Sequence, residues 1–253
     1  MIDDFVPIIH KLDGRTVRLW AVADVHIGAR EADMDGFAEF LRRIEADPDS
    51  YIVLCGDIIN NGIKDSLTNV YDEVMPPSAQ IEAAVELLEP VKGRILGAVG
   101  GNHELRSKRA VDIDPMATIM TILRIAPLYR PNFAMMRVIL EKNGVRDSYA
   151  LMLIHGKSAN KKKQLAYSVE GVDAIISGHT HDGIIEKPAR LCFNNRNVVS
   201  VKHIVSMTAT SWLDYGGYAA RGLYLPKATS DPQALVLEYT GTNAKRGHMR
   251  AMW

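Results

Sequence analysis

The chain is poor in the features that would send it outside a cell or into a membrane. Among 253 residues there are two cysteines, Cys55 and Cys192, too few for a disulfide framework, so a reducing cytoplasm is the expected location. No apolar run reaches the roughly 18–20 residues of a membrane helix. The opening MIDDFVPIIHKLDG is acidic and lacks the basic segment and apolar core of a secretory signal. Charge of one sign is also missing: 30 Lys and Arg balance 30 Asp and Glu, so no global field attracts a polyanion and any such partner must be held locally. Aromatic residues make up 7%.

What is present has the composition of an average globular protein, 47% hydrophobic and 24% charged, in a length that suits a single α/β domain over 1–253. Apolar runs rich in Val, Ile and Leu predict strands at 16–24, 51–57, 93–101, 149–156 and 173–179. Phe37, Phe40, Leu41 and Ile44 have helical spacing, as do Ile81, Val85 and Leu88. Asp114-Pro115 is an N-cap followed by a first-turn proline, opening a third helix. From 16 to 101 the order is strand, helix, strand, helix, strand, the rhythm of parallel strands with crossover helices. Asn143-Gly144 then marks a hairpin. The runs 198–207, 216–226 and 233–239 read as strand-like with loops and little helix, giving a mixed sheet system, and the tail from about 241 to 253 reads as loose.

Each predicted strand runs into a polar cluster: Asp24-Val25-His26, Gly56-Asp57, Gly101-Asn102-His103-Glu104, His155-Gly156, and Gly178-His179-Thr180-His181. Singly these are ordinary caps and turns. Together they hold five of the eight histidines at the carboxyl ends of strands, where open α/β sheets bind ligands. So many carboxylates and imidazoles in one crevice would be costly to bury without cations. Oxygen and imidazole donors suit Mn, Fe, Zn, Co or Mg and not a thiolate-loving metal.

In this order and spacing the blocks closely resemble the five-block signature of the calcineurin-like metallophosphoesterases. The resemblance implies a two-sheet αββα sandwich with mixed sheets, and two divalent metal ions, Mn first, with Fe, Zn, Ni, Co or Mg as alternatives. By the same likeness Asp24, His26 and His181 are ligands of one metal, Asp57 bridges both, and Asn102, His155 and His179 complete the second. A water between cations roughly 3.5–4 Å apart then loses its proton near neutral pH and attacks phosphorus in line. His103 is implied to lie off the metals as general acid, the alternative being a histidine that orients a ligand. Glu104 is expected to cap a helix or support the ligands from behind.

One departure matters. Protein serine/threonine phosphatases have Gly-Asp-x-x-Asp-Arg-Gly in the second block, whereas this chain has GDIINNG, so Asn60 cannot form a charged dyad and Asn61 cannot clamp a phosphate as arginine does. The expectation is therefore a phosphodiesterase acting on a nucleotide or nucleic-acid phosphoester. A repair-exonuclease-like nuclease, a phosphomonoesterase and a metal-stabilised binding module remain as alternatives. Arg106 and Arg109, Lys157 with Lys161, Lys162 and Lys163, and Trp212 with Tyr215 and Tyr218 are candidate substrate contacts. Solvated surface charge and core packing are the competing readings.

Overall fold

The structure, a computed structural model, describes residues 4–64, 66, 70–158, 165, 168–193, 195–221, 223, 225–226, 232–243 and 248–252. Its elements in chain order are β1 (Ile8–Asp13), β2 (Val17–Val22), α1 (Met34–Ala46), β3 (Ser50–Cys55), α2 (Pro77–Leu88), β4 (Ile95–Val99), α3 (Glu104–Val111), α4 (Pro115–Ile122), β5 (Tyr129–Arg130), β6 (Phe133–Lys142) and β7 (Val145–Ile154). They continue with β8 (Ala174–Ser177), β9 (Ile185–Glu186), β10 (Ala189–Phe193), β11 (Val199–His203), β12 (Val205–Thr208), α5 (Gly217–Arg221), β13 (Ala234–Glu238) and β14 (His248–Met252).

Two six-stranded mixed sheets form, in the orders β1-β6-β7-β8-β12-β9 and β14-β13-β2-β3-β4-β5, with β10-β11 as a separate hairpin. Every residue of β3 is buried, which is why its sequence does not alternate. Tyr51, Val53 and Cys55 face the core between the sheets. Ile52 and Leu54 face the helices. The inter-sheet core joins Ile8, Met136, Leu151 and Ile176 to Leu19, Val53, Leu96 and Leu235. The outer face of the second sheet packs on Phe37, Phe40, Leu41 and Ile44 of α1, with residues of α2 and α4. Asp114 caps α4 by accepting from Ala117 N at 3.0 Å. The protein is thus a mixed α/β sandwich of two sheets flanked by helices.

The parallel run β2-β3-β4 and the β6-β7 hairpin are as the sequence predicts. Asn143 and Gly144 make the hairpin turn with φ of 53° and 78°, the left-handed pair a two-residue connection requires. Two expectations fail, and a third holds in a divided form. The stretch 216–226 gives the short helix α5, because its alanines and glycines lack the β-branched residues that hold a strand. The run 198–207 is two strands in different sheets, β11 and β12, broken at Ile204. Within the tail, residues 248–252 are not loose: β14 pairs antiparallel with β13 from Glu238↔His248 to Ala234↔Met252. Glu238 ties the pair further, meeting His248 Nδ1 at 2.7 Å and Arg250 Nε at 3.0 Å. No helix among the described residues is long and apolar enough to cross a membrane.

Candidate metal centre

Strands β2, β3, β4, β7 and β8 end side by side, and the residues just beyond them turn into one crevice. The turns are tight. Asp24, His26 and Asp57 each have φ of 53°, with His179 at 76° and His181 at 56°. Left-handed backbone at non-glycine residues costs on the order of 1–3 kcal/mol each and clusters at functional sites. Gly178 lets the last block close in: a Cβ there would lie 2.6 Å from Ala23 Cβ and 2.8 Å from Asp24 Oδ2. Backbone bonds lace the blocks together, Asp24 N to Gly56 O at 3.1 Å and Gly178 N to His155 O at 3.1 Å.

Each aspartate uses one oxygen to hold the crevice together and offers the other to the imidazoles. Asp24 Oδ2 accepts from His179 N at 2.8 Å, while Oδ1 lies 3.2 Å from His181 Nε2 and 3.9 Å from His26 Nε2. Asp57 Oδ1 accepts from His103 N at 2.8 Å, while Oδ2 lies 3.2 Å from His155 Nε2 and 3.8 Å from His103 Nε2. Asn102 is exposed, with Oδ1 at 3.0 Å from His155 Nε2.

Three overlapping groups could each hold a cation: Asp24, His26 and His181; His26, Asp57 and His103; and Asp57, His155 and His179. The donors fit such an occupant. Asp24 Oδ1 and His26 Nε2 are buried, and neither makes a well-aligned hydrogen bond among the described residues: Asp24 Oδ1 has only the ion-pair approach of His181 at 3.2 Å, and His26 Nε2 only that carboxylate at 3.9 Å. A buried polar atom left so is costly unless an ion or water meets it.

Electrostatics agree with the distances. Burial pushes the Asp57 carboxyl up, but the charges of His155 and His103 outweigh it and hold it far below the usual carboxylate range. Burial likewise opposes ionisation of Asp24, and His181 overcomes it. Burial, reinforced by His103, takes His26 down to about 3, so its Nε2 is a bare lone pair. His155 goes the other way: burial lowers it, but Asp57 raises it to about 9. The two carboxylates draw positive charge into a buried place.

Supporting bonds orient the imidazoles. His155 Nδ1 donates to Cys55 O at 2.8 Å, which turns Nε2 to the crevice. His26 Nδ1 donates to Asn60 Oδ1 at 3.1 Å. Asn60 Nδ2 donates to Glu73 Oε1 at 2.6 Å, and Glu73 Oε2 accepts from Gln80 Nε2 at 2.7 Å. Neither Glu73 nor Gln80 carries a signal in the sequence, and Asn60 reads there only as a missing acid. Asn60→Ala should lower metal affinity about 10–100-fold, the usual cost of losing such a partner, with little change in melting temperature once metal saturates. Calorimetric titration of metal checks this.

Glu104 opens α3 and lies behind Asp57, as expected. Its carboxylate accepts from Asp57 N at 3.0 Å, Ile58 N at 2.8 Å, Ile59 N at 3.3 Å and Gly101 N at 2.9 Å. Burial, with the Asp57 charge beside it, nonetheless raises it to about 7. Asn61 is internal: Nδ2 donates to His103 O at 2.6 Å and Oδ1 accepts from Ser107 Oγ at 2.8 Å.

His103 is buried at the edge of the same crevice. Nδ1 lies 2.7 Å from Asn60 O and must donate to it, so Nε2 is the acceptor for Arg106 Nη2 at 2.9 Å. Burial, with Arg106 adding to it against Asp57, keeps the imidazole below its ordinary value. Arg106 Nη1 also donates to Asn60 O at 2.9 Å. Arg106 therefore stands at the centre. Arg109 and Lys157 are exposed. Lys161, Lys162 and Lys163 lie outside the described residues, and the side chain of Tyr218 is likewise not described.

Trp212 is a correction. It is 2% exposed and packs on Phe37 and Phe40 with ring centroids 5.1 Å and 5.4 Å away, so no base can stack on it. Its run of small polar neighbours disguises a core residue. Its backbone N–H donates to Asp24 O at 3.1 Å, beside Ser211 Oγ at 3.1 Å, so this loop fixes the first ligand block from behind. Trp212→Ala should cost about 3–5 kcal/mol of stability, read by denaturant unfolding.

Comparison with solved structures finds distant likenesses. The calcineurin-like phosphoesterase YfkN of Bacillus subtilis aligns over 94% of this chain and 90% of its own, at 11% identity and TM-score 0.45. A protein of Thermus thermophilus aligns over 94% and 99%, at 13% identity and TM-score 0.47. The NAD nucleotidase NadN of Haemophilus influenzae aligns over 94% of this chain but 49% of its own, at 10% identity and TM-score 0.47, so the chain spans about half its length. Likeness this remote says nothing about substrate. No curated protein sequence matches. A family model does: the calcineurin-like phosphoesterase model matches residues 17–183 and so takes in all five blocks of the crevice, and the chain belongs to that family of metal-dependent phosphoester hydrolases.

Proposed function

We propose that the protein is a phosphodiesterase that hydrolyses a phosphodiester of a nucleotide or nucleic acid, with His103 as general acid. The family implies a dinuclear centre, and the donor set fits one. Asp24, His26 and His181 would hold one ion and Asn102, His155 and His179 the other, with Asp57 shared. Such a pair of divalent ions, with Mn the first choice and Fe, Zn, Ni, Co or Mg also suited to these donors, supplies a water acidic enough to act as nucleophile near neutral pH.

The chain's own groups do the rest. His103 would carry its transferable proton on Nε2 and pass it to the departing ester oxygen. For that, Arg106 must release Nε2, which it now meets at 2.9 Å, and turn its guanidinium to the phosphoryl oxygens.

The observation that carries the diester reading is the spending of both asparagines of GDIINNG on internal bonds. Arg106 is left as the guanidinium at the centre, a modest complement for the doubly charged phosphate of a monoester and a better one for the single charge of a diester. Protein loaded with Mn should hydrolyse bis(4-nitrophenyl) phosphate with kcat/KM about tenfold or more above 4-nitrophenyl phosphate, and chelation should abolish both. Preference for the monoester would overturn the reading.

A further inference from the structure

A cavity of about 590 Å³ opens beside the centre, with Asn60, His179 and His181 of that centre among its lining residues. Pockets of roughly 300–1,000 Å³ take small organic ligands. Its walls have a definite charge. Glu31, Asp72, Glu73, Asp182 and Asp214 line it against Arg30 and Arg221, and Arg221 is already paired with Asp72 at 3.0 Å. The Glu31 carboxylate comes close to bare backbone at Gly216 and Gly217, where a Cβ on Gly217 would lie 2.5 Å from Oε1. Part of the remaining wall is apolar, formed by Leu213, Leu225 and the half-exposed Tyr215.

We propose that this cavity receives the organic part of the substrate, and that this part is a nucleoside bearing no further phosphate. The inference rests on the phosphodiesterase reading and narrows it from nucleic acids to single-nucleoside esters. Carboxylates accept hydrogen bonds from sugar hydroxyls, as acidic residues do in dinucleotide sites. Tyr215, with Leu213 and Leu225, offers a flat apolar surface to a base. A second phosphate would instead enter a wall of excess negative charge beside the centre, and a polynucleotide carries one at every step.

Four esters that release the same 4-nitrophenolate test this on the Mn-loaded protein: thymidine 5′-(4-nitrophenyl) phosphate, its 3′-phosphorylated form, 4-nitrophenylphosphocholine and bis(4-nitrophenyl) phosphate. The thymidine ester should exceed its 3′-phosphorylated form and the choline ester by about tenfold or more in kcat/KM. In Glu31→Gln/Asp214→Asn the penalty for the 3′-phosphate should shrink, and calorimetric binding of adenosine should weaken by about tenfold. Equal rates with and without the 3′-phosphate, or faster turnover of the choline ester, would overturn the proposal while hydrolysis of the bis-aryl ester keeps the phosphodiesterase reading intact. If no diester is hydrolysed, that reading fails, and adenosine binding alone then decides: binding weakened in the double variant supports the pocket, and no binding removes it.

Discussion

Asp57→Asn is expected to strip the centre of metal and to abolish turnover at any practical metal concentration. Asp57 belongs to two of the three candidate cation groups, so its loss touches both halves of the site. The substitution keeps the shape and leaves an acceptor for His103 N, now bonded to Oδ1 at 2.8 Å, while removing the charge that meets His155 at 3.2 Å. Affinity should fall by more than the ~100-fold upper range for partners behind the ligands, since Asp57 is itself a donor. Elemental analysis after gel filtration and a metal-dependent melting curve check this. Because Glu104 keeps its bonds to the Ile58 and Ile59 amides, the metal-free variant should remain folded, with its melting temperature unmoved by added Mn. Full metal content in this variant would show that Asp57 is not shared.

His103→Gln is expected to keep both metals and lose turnover. Positioned general acids contribute about 10²–10⁴-fold. The loss should be largest for alkyl esters, whose leaving oxygen needs a proton, and small for 4-nitrophenyl esters, whose anion leaves unaided. That dependence separates a proton donor from a merely structural histidine, which would slow both alike. His103 also falls within a cation group with His26 and Asp57, so metal analysis of the same variant is decisive in the other direction. Loss of an ion would make His103 a ligand.

Much of this was legible in the sequence because the site is built at strand ends. Apolar runs must stop where the chain leaves the sheet, so a change from Ile175 and Ile176 to Gly178 and His179 marks a boundary and a donor together. The two-sheet order was legible in part: β2, β3 and β4 alternate with α1 and α2, and Asn143-Gly144 fixes the β6-β7 hairpin. The rest depended on distance in space. Glu73 supports His26 through Asn60 from a loop between β3 and α2, and no local pattern links them. The sequence leaves Trp212 open between a stacking surface and core packing, and its surroundings decide for the core: the indole turns inward onto Phe37 while Ser211 Oγ bonds the Asp24 carbonyl behind it. Strand β14 in the tail carries no sequence signal, because an edge strand needs only its partner's backbone and HMRAM has little strand propensity of its own. The left-handed turns at Asp24, His26, Asp57, His179 and His181 are likewise imposed by convergence, since none of these residues favours them as glycine does.

The most direct test of the dinuclear phosphodiesterase reading is a paired titration of the purified, chelator-treated protein, following Mn binding by calorimetry and bis(4-nitrophenyl) phosphate hydrolysis on the same samples. Two ions bound per chain, with activity rising only as the second binds, is the result expected if Asp57 joins two cation groups into one reactive centre. A single ion giving full activity, or two ions bound with no hydrolysis of any phosphodiester, would contradict it.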